Sequence, residues 1–418
     1  MNETLTTPNE EYLELTFAKE TATGKGLNNK LIMENLHDGT FKKTEGRIGI
    51  TIGRNKPKEY VRPISEWSST YSFYVSRGYV LFSTEKVDTK TIEMGTNSLN
   101  GKEFKPLSDN AVSSIIKTLL GMANQLLEET YTVKVSHIPD DMIIKGKTIL
   151  DDLADNYENM SVAEFNGKLK NLFATIPRRI DKLNLMLATR KSEFANILAN
   201  EQEIYDVMIS QLKGMKIKAK EDQTILEAFN LEWREVTKEE EAKIKKMMGC
   251  EAKRYSKAYR IVNRTTEKAF NSFCEKYGFT EDNGISHLFH GSRSENFWSI
   301  ITNGLTINPK GVVITGKMFG NGTYFAPDAC KSMGYTSRSG SRWANGSSQT
   351  GFLGIYKVAT GTSVEPHSVS KYDFASLLKN GYHSVWCKRG GSIGLRMDEV
   401  VVYNDCQDTI EYLVEVGL

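Results

Sequence analysis

The spacing of apolar positions changes twice along the chain. From about residue 10 the period is two. "KLIMENL" alternates, "HDGT" reads as a turn, and "RIGITIG" alternates again before a turn at Asn55 to Pro57. The aromatic stretch "YSFYVSRGYVLF" follows, and residues 10–102 are expected to form one small β-rich domain. At Phe104 the period lengthens. Val112, Ile115, Ile116, Leu119, Leu120, Ala123, Leu126 and Leu127 fall on one helical face. Ser161 followed by Glu164 spells a capping box. Phe165, Leu169, Leu172, Phe173 and Ile176 continue that helix until Pro177 stops it. With further amphipathic stretches from about 180 to 212, residues 104–236 predict an all-α bundle of about five to seven helices. From 237 to 418 the periods mix. "TKEEEAKIKKMM" predicts a short, solvated, charged helix, and "YRIVNRTTEKAF" reads as strand. "ENFWSIITNGL" reads as a helix closed by Asn303-Gly304, while "FLGIYKVATG", "DEVVVYN" and "TIEYLVEV" read as strands. The fold class is therefore multidomain α+β, and the last domain has a strand-rich, antiparallel core.

Composition adds limits. A chain of 418 residues with a net charge of +2 is not a uniformly basic nucleic-acid coat, although a local basic face remains open. No apolar run reaches the ~18 residues of a membrane span. "MNETLTTPNEEYLEL" has no signal-peptide core. Cys250, Cys274, Cys330, Cys387 and Cys406 are odd in number and far apart, with no Cys-x-x-Cys pair. This fits a reduced intracellular protein without structural zinc.

Three motifs invite chemistry and fail. His287 and His290 in "SHLFHGS" would share a helical face, but the flanking residues fit a strand, where positions three apart point to opposite faces. No ligand-spaced cysteine or carboxylate accompanies them, so no metal is expected. "GVVITGKM" has Met318 where a phosphate loop needs Ser or Thr. "GKMFGNGTYFA" spaces its glycines wrongly for a dinucleotide fingerprint, and Asn321-Gly322 reads as a tight turn into "TYFA". Pro327 is then expected to start a helix on which Ser332 and Tyr335 share a face, with Tyr324 on the strand before it. Two tyrosines and a hydroxyl suit a flat heteroaromatic amide; ordinary packing explains the same spacing.

"LFHGSRSENFWSIITNGL", "GKMFGNGTYFAPDACKSMGYT" and "DEVVVYNDCQ", in this order, resemble the catalytic domain of poly(ADP-ribose) polymerases, which carries the diphtheria-toxin-like fold. Upstream, "NLFATIP" resembles that family's helical regulatory domain over 104–236. "NNKLIMENLHDGTFKKTEGRIGITIG" resembles a WGR domain over 10–102, although the triplet reads Glu45-Gly46-Arg47 here. The resemblance implies a catalytic domain at 237–418 that takes NAD+ as substrate, uses no metal and binds nicotinamide-mimicking inhibitors. It implies His290, Tyr324 and Glu399 as the catalytic set. Gly291 and Ser332 would face the carboxamide of nicotinamide, Tyr335 and Tyr324 its ring, His290 the adjoining ribose hydroxyls and Ser292 the adenosine ribose. Met397-Asp398-Glu399 lacks the Glu-x-Glu of arginine-directed relatives.

The same resemblance implies transfer of ADP-ribose to proteins, this one included, with chain elongation and activation by DNA strand breaks. Alternatives are mono-ADP-ribosylation only, or a DNA-end scaffold with weak transfer. Residues 41–62 hold seven Lys or Arg against Glu45 and Glu59. Lys42, Lys43, Arg47 and Arg54 are the expected phosphate contacts. The implied compartment is nuclear in a eukaryote and cytoplasmic otherwise.

Overall fold

A computed structural model describes residues 10–20, 26–47, 57–83, 98–99, 102–132, 134–135, 138–180, 183–216, 223–307, 318–336 and 350–417. The expected strand "RIGITIG" beyond Arg47, Arg54, and "GVVITGKM" before Met318 lie outside the described residues.

The chain begins with β1 (Tyr12–Glu20), β2 (Gly26–Asn35), β3 (Thr40–Arg47), β4 (Lys58–Pro63), α1 (Trp67–Ser76) and β5 (Val80–Ser83), then a short hairpin of β6 (Ser98–Leu99) and β7 (Lys102–Glu103). Helices follow: α2 (Asn110–Thr130), α3 (Asp140–Asn156), α4 (Val162–Thr175), α5 (Phe194–Lys216) and α6 (Ile225–Ala228). After them come β8 (Leu231–Glu235), α7 (Lys238–Met248), β9 (Tyr255–Asn263), α8 (Arg264–Tyr277), β10 (Ile285–Gly291), α9 (Phe297–Asn303), β11 (Thr323–Phe325) and α10 (Ala329–Met333). The last elements are β12 (Thr350–Ala359), β13 (Ser363–Val364), α11 (Phe374–Lys379), β14 (Ser384–Cys387), β15 (Glu399–Val402) and β16 (Asp408–Gly417). The architecture is mixed α+β with antiparallel sheets. Contacts divide it into two compact units, 1–92 with 127–201, and 93–126 with 202–418.

In the first unit β4-β3-β2-β1-β5 form an antiparallel sheet. The two-residue period puts Leu13, Leu15, Leu31, Met33 and Phe41 on its inner side, where Trp67 and Tyr71 of α1 cover them. One helix, α1, accompanies these strands. Trp67 and Tyr71, four apart, bury one helical face, and Trp67 meets Phe41 edge-on at 5.1 Å. The capping box of α4 is present, with the Ser161 hydroxyl accepting from Glu164 N and the Glu164 side chain bonding back. The helix stops at Thr175, before Pro177. Phe165 stacks on Phe194 at 3.9 Å, and Arg178 pairs with Glu201, both buried.

In the second unit an antiparallel sheet runs β10-β12-β16-β9-β8, and a smaller one runs β11-β15-β14-β13, parallel only between β13 and β14. Reciprocal backbone bonds between Phe289 and Ala326 (2.8 and 2.9 Å) tie the two sheets together. Val112, Ile115, Ile116 and Leu119 of α2 bury their periodic face against Leu231, Trp233, Tyr259, Trp298 and Tyr356. Two expectations change here. "YRIVNRTTEKAF" is strand only to Asn263, whose side chain accepts from Thr265 N and Thr266 N and so caps α8. And α7 is not wholly solvated, because it buries Ile244 and Met248.

Candidate active site

The site grows from the seam between the two sheets. Strand β10 delivers Phe289, His290 and Gly291 in register with Ile355, Gly354 and Leu353 of β12. The alternation sends His287 and His290 to opposite faces. His287 Nδ1 meets Glu411 Oε2 at 2.6 Å and its Nε2 meets Glu281 Oε2 at 3.0 Å. His290 Nδ1 lies 2.9 Å from Tyr324 O. A carbonyl only accepts, so this nitrogen carries the proton. Phe325 and Tyr356 stand edge-on to the His290 ring at 5.8 and 6.0 Å.

Across the seam, Tyr324 on β11 is paired with Val401 of β15. Its hydroxyl donates to Gly320 O at 2.9 Å and accepts from Phe319 N at 3.1 Å, so the tyrosine closes its own turn. Burial, with the Glu399 charge adding to it, holds this phenol's pKa above its ordinary value. The turn differs from the one expected at Asn321-Gly322. Gly320 takes the left-handed conformation (φ 93°), while Gly322 is required by close approach, since a Cβ there would lie 2.6 Å from Val402 O.

Glu399 opens β15 opposite Cys387, as a strand-end residue, yet it is only 7% exposed. Lys331 Nζ meets Glu399 Oε1 at 2.8 Å and donates to Asp398 O at 3.1 Å. The Asp398 carboxylate accepts from Trp386 Nε1 and Arg389 N, both at 2.9 Å, which fixes this strand end.

Residues 230–393 match the poly(ADP-ribose) polymerase catalytic domain. This region is an NAD+ ADP-ribosyltransferase domain. A poly(ADP-ribose) polymerase-like protein of Invertebrate iridescent virus 6 is 29% identical over 167 residues, 38% of this chain and 84% of the viral one. Poly(ADP-ribose) polymerase 2 of Homo sapiens is 41% identical over 88 residues, 21% of this chain. Poly(ADP-ribose) polymerase 1 of Danio rerio is 36% identical over 98 residues, 23% of this chain. The matched stretches span 14% and 9% of those two animal enzymes.

Within the ADP-ribosyltransferase domain, α10 is shorter than expected. It begins at Ala329 after Asp328, not at Pro327, and ends at Met333. Ser332 is 4% exposed and its hydroxyl donates to Phe289 O at 3.2 Å, whereas Tyr335, past the helix end, is 63% exposed. Gly291 lies against this helix so closely that a Cβ would stand 2.8 Å from the Ser332 carbonyl carbon and nearer still to its oxygen. Ser292 accepts from Asn296 Nδ2 at 3.1 Å.

Two neighbours of the candidate residues escaped the sequence reading. Lys331 is the partner of Glu399, 68 positions along the chain, and stands next to Ser332 in sequence. Glu203 on α5 pairs with Arg293 and accepts from Asn296 Nδ2 at 3.3 Å, beside the Gly291-Ser292 edge. In the first unit, Lys42 and Lys43 sit on β3 in ion pairs with Glu34 (3.4 Å) and Glu45 (2.7 Å). The Lys43 ammonium also lies over the Tyr60 ring at 5.0 Å. Arg47 ends β3 in register with Asn29. Among the described residues there is no cluster of His, Cys, Asp or Glu suited to a metal, and no helix long and apolar enough to cross a membrane.

Proposed function

We propose that the chain is a DNA-break-responsive ADP-ribosyltransferase that moves ADP-ribose from NAD+ to protein side chains, its own included, and elongates the product. The observation that carries the catalytic part is a buried, cation-paired Glu399 beside the seam that joins His290 to Tyr324. Breaking the nicotinamide–ribose bond develops oxocarbenium-like charge on the sugar, as glycoside hydrolysis does. Glu399 stabilises that charge and accepts the acceptor's proton. His290 holds ribose hydroxyls, and its ring is oriented for this by the Tyr324 carbonyl. Gly291 and Ser332 bind the carboxamide of nicotinamide, while Tyr324 and Tyr335 bracket its ring. Ser292 serves the adenosine ribose. The close approach of Gly291 to α10 supports this assignment, because a side chain there would occupy the pocket wall.

In this reading residues 10–102 act as a WGR-like DNA-end module through Lys42, Lys43, Arg47 and Arg54, and residues 104–236 as a helical gate. Phosphate contacts of this kind position the protein without reading sequence. The gate reading draws on Glu203, whose bonds to Arg293 and Asn296 tie α5 to the Ser292 edge. Glu203→Ala should raise transfer in the absence of DNA. Incubation with labelled NAD+, with and without nicked or blunt-ended DNA, tests the whole reading on one gel. A DNA-dependent ladder is expected. A sharp band would mark single transfer, equal labelling without DNA would remove the DNA-response reading, and no label would remove the enzyme reading.

A further inference from the structure

Two of the five cysteines are exposed, and they are on neighbouring elements of the ADP-ribosyltransferase domain. Cys250 lies in the 3-10 turn Gly249–Arg254, and Cys330 lies on α10. Ala329 and Met333 of α10 pack with Ile244, Met248 and Ala252 around that turn. One carboxylate gathers both thiols. Cys250 Sγ donates to Glu251 Oε1 at 3.8 Å, and the Cys330 thiol faces the same carboxylate; burial, with the Glu251 and Cys250 charges adding to it, holds the Cys330 pKa above its ordinary value. Arg254 Nε holds the other oxygen of Glu251 at 3.2 Å. Cys274 and Cys387 are buried and Cys406 is half-buried, so an oxidant in solution meets this pair first.

We propose that Cys250 and Cys330 form a reversible disulfide that switches the domain by holding α10. The co-reactant is a small-molecule disulfide of the glutathione type. A Cys250 thiolate attacks one of its sulfurs, which forms a mixed disulfide and releases one small thiol. The Cys330 thiolate then attacks Sγ of Cys250 and releases the second small thiol. Two electrons pass from the protein to the external disulfide, whose S–S bond breaks, and the two protein protons end on the released thiols. The consequence follows from what α10 carries. Lys331 holds Glu399, Ser332 holds Phe289 O, and the Ser332 backbone abuts Gly291. Tethering Cys330 toward the Gly249–Arg254 turn draws on all three.

The inference rests on the proposed role of α10 as a pocket wall, and the test separates the two. The full chain is treated with oxidised glutathione, digested without reductant and mapped by mass, and NAD+-dependent labelling is measured in parallel. The expected result is a linked Cys250–Cys330 peptide, a several-fold fall in labelling, and recovery of both with dithiothreitol. Cys250→Ser and Cys330→Ser should each remove the linked peptide and the response to glutathione, while reduced labelling stays near wild type. Glutathione adducts without a cross-link would overturn the proposal, and so would a cross-link that leaves both labelling and benzamide affinity unchanged. The linked peptide is scored by mass alone, so an inactive reduced protein would count against the catalytic reading and not against the disulfide.

Discussion

Replacing Gly291 with alanine is a sharp test of the pocket wall. The new Cβ would stand 2.8 Å from the carbonyl carbon of Ser332 and 3.3 Å from its Cα, with the oxygen nearer still. Carbon atoms in contact settle ~3.5–4.0 Å apart, so β10 and α10 must separate by on the order of 1 Å. Both partners are backbone, and no side-chain rotation relieves the clash. Overpacking of this kind costs about 1–3 kcal/mol of stability. The larger effect falls on chemistry, because the same separation carries Lys331 away from Glu399 and Ser332 away from Phe289 O. A misplacement of about 1 Å at a reacting centre can reduce rate roughly 10²-fold. Automodification with labelled NAD+, benzamide titration by calorimetry and thermal unfolding would be measured on the same preparation. The expected pattern is a modest fall in melting temperature, weakened benzamide binding and a loss of transfer near that factor. A Gly291→Ala protein with wild-type transfer and affinity would refute the placement of the pocket between β10 and α10.

Further outcomes concern the charges around the site and the helical core. Lys331→Met should lower transfer on the order of tenfold, ~1.4 kcal/mol, while benzamide affinity holds; equal losses in both would make Lys331 a packing residue. Glu201→Ala leaves the buried Arg178 guanidinium without this partner and should destabilise the fold by about 3–5 kcal/mol, read by denaturant unfolding. A loss under a few tenths would contradict the buried pair. The His287 pKa is raised above its ordinary 6.5, chiefly by its bond to Glu411, with Glu281 adding to it, while burial and the Lys243 charge pull it down. Glu411 is pulled up by burial but lowered on balance by His287 and Arg260, and Lys357 faces the same cluster through Glu281. The imidazolium therefore contributes stability that is full below pH 6.5 and fades as pH rises through its raised value. The Glu411 contribution fades at the acid end. His287→Asn should be less stable than wild type near pH 6, and that gap should close in alkaline buffer; a gap that widens with pH would reverse the assignment.

Much of this was legible along the chain because its causes are local. The face of α2, the capping box at Ser161, the stop before Pro177 and the strand that begins at Glu399 all follow from periods and neighbours within a few residues. His287 and His290 were separable for the same reason, since strand geometry alone divides them. Where local signals competed, the reading failed. "YRIVN" alternates into "RTTEKAF", and the break between them is a cap made by one asparagine side chain. The aromatic residues of α1 have strand preference, but Trp67 is spaced to cover Phe41, which is fixed by the sheet. Lys331 and Glu203 were invisible because their partners lie far along the chain, and no short-range pattern encodes such pairs. Gly291 was chosen by resemblance, while its physical reason, the approach of the Ser332 backbone, exists only in three dimensions.

In the proposed mechanism Glu399 does its work in the transition state of NAD+ cleavage. The most direct measurement compares wild type with Glu399→Gln for nicotinamide release and label transfer from NAD+, beside calorimetric affinity for a benzamide. The variant is expected to keep its benzamide affinity and lose most of its transfer, because a carboxylate that stabilises developing charge matters little to the bound ground state. Wild-type nicotinamide release and automodification by Glu399→Gln would contradict that role.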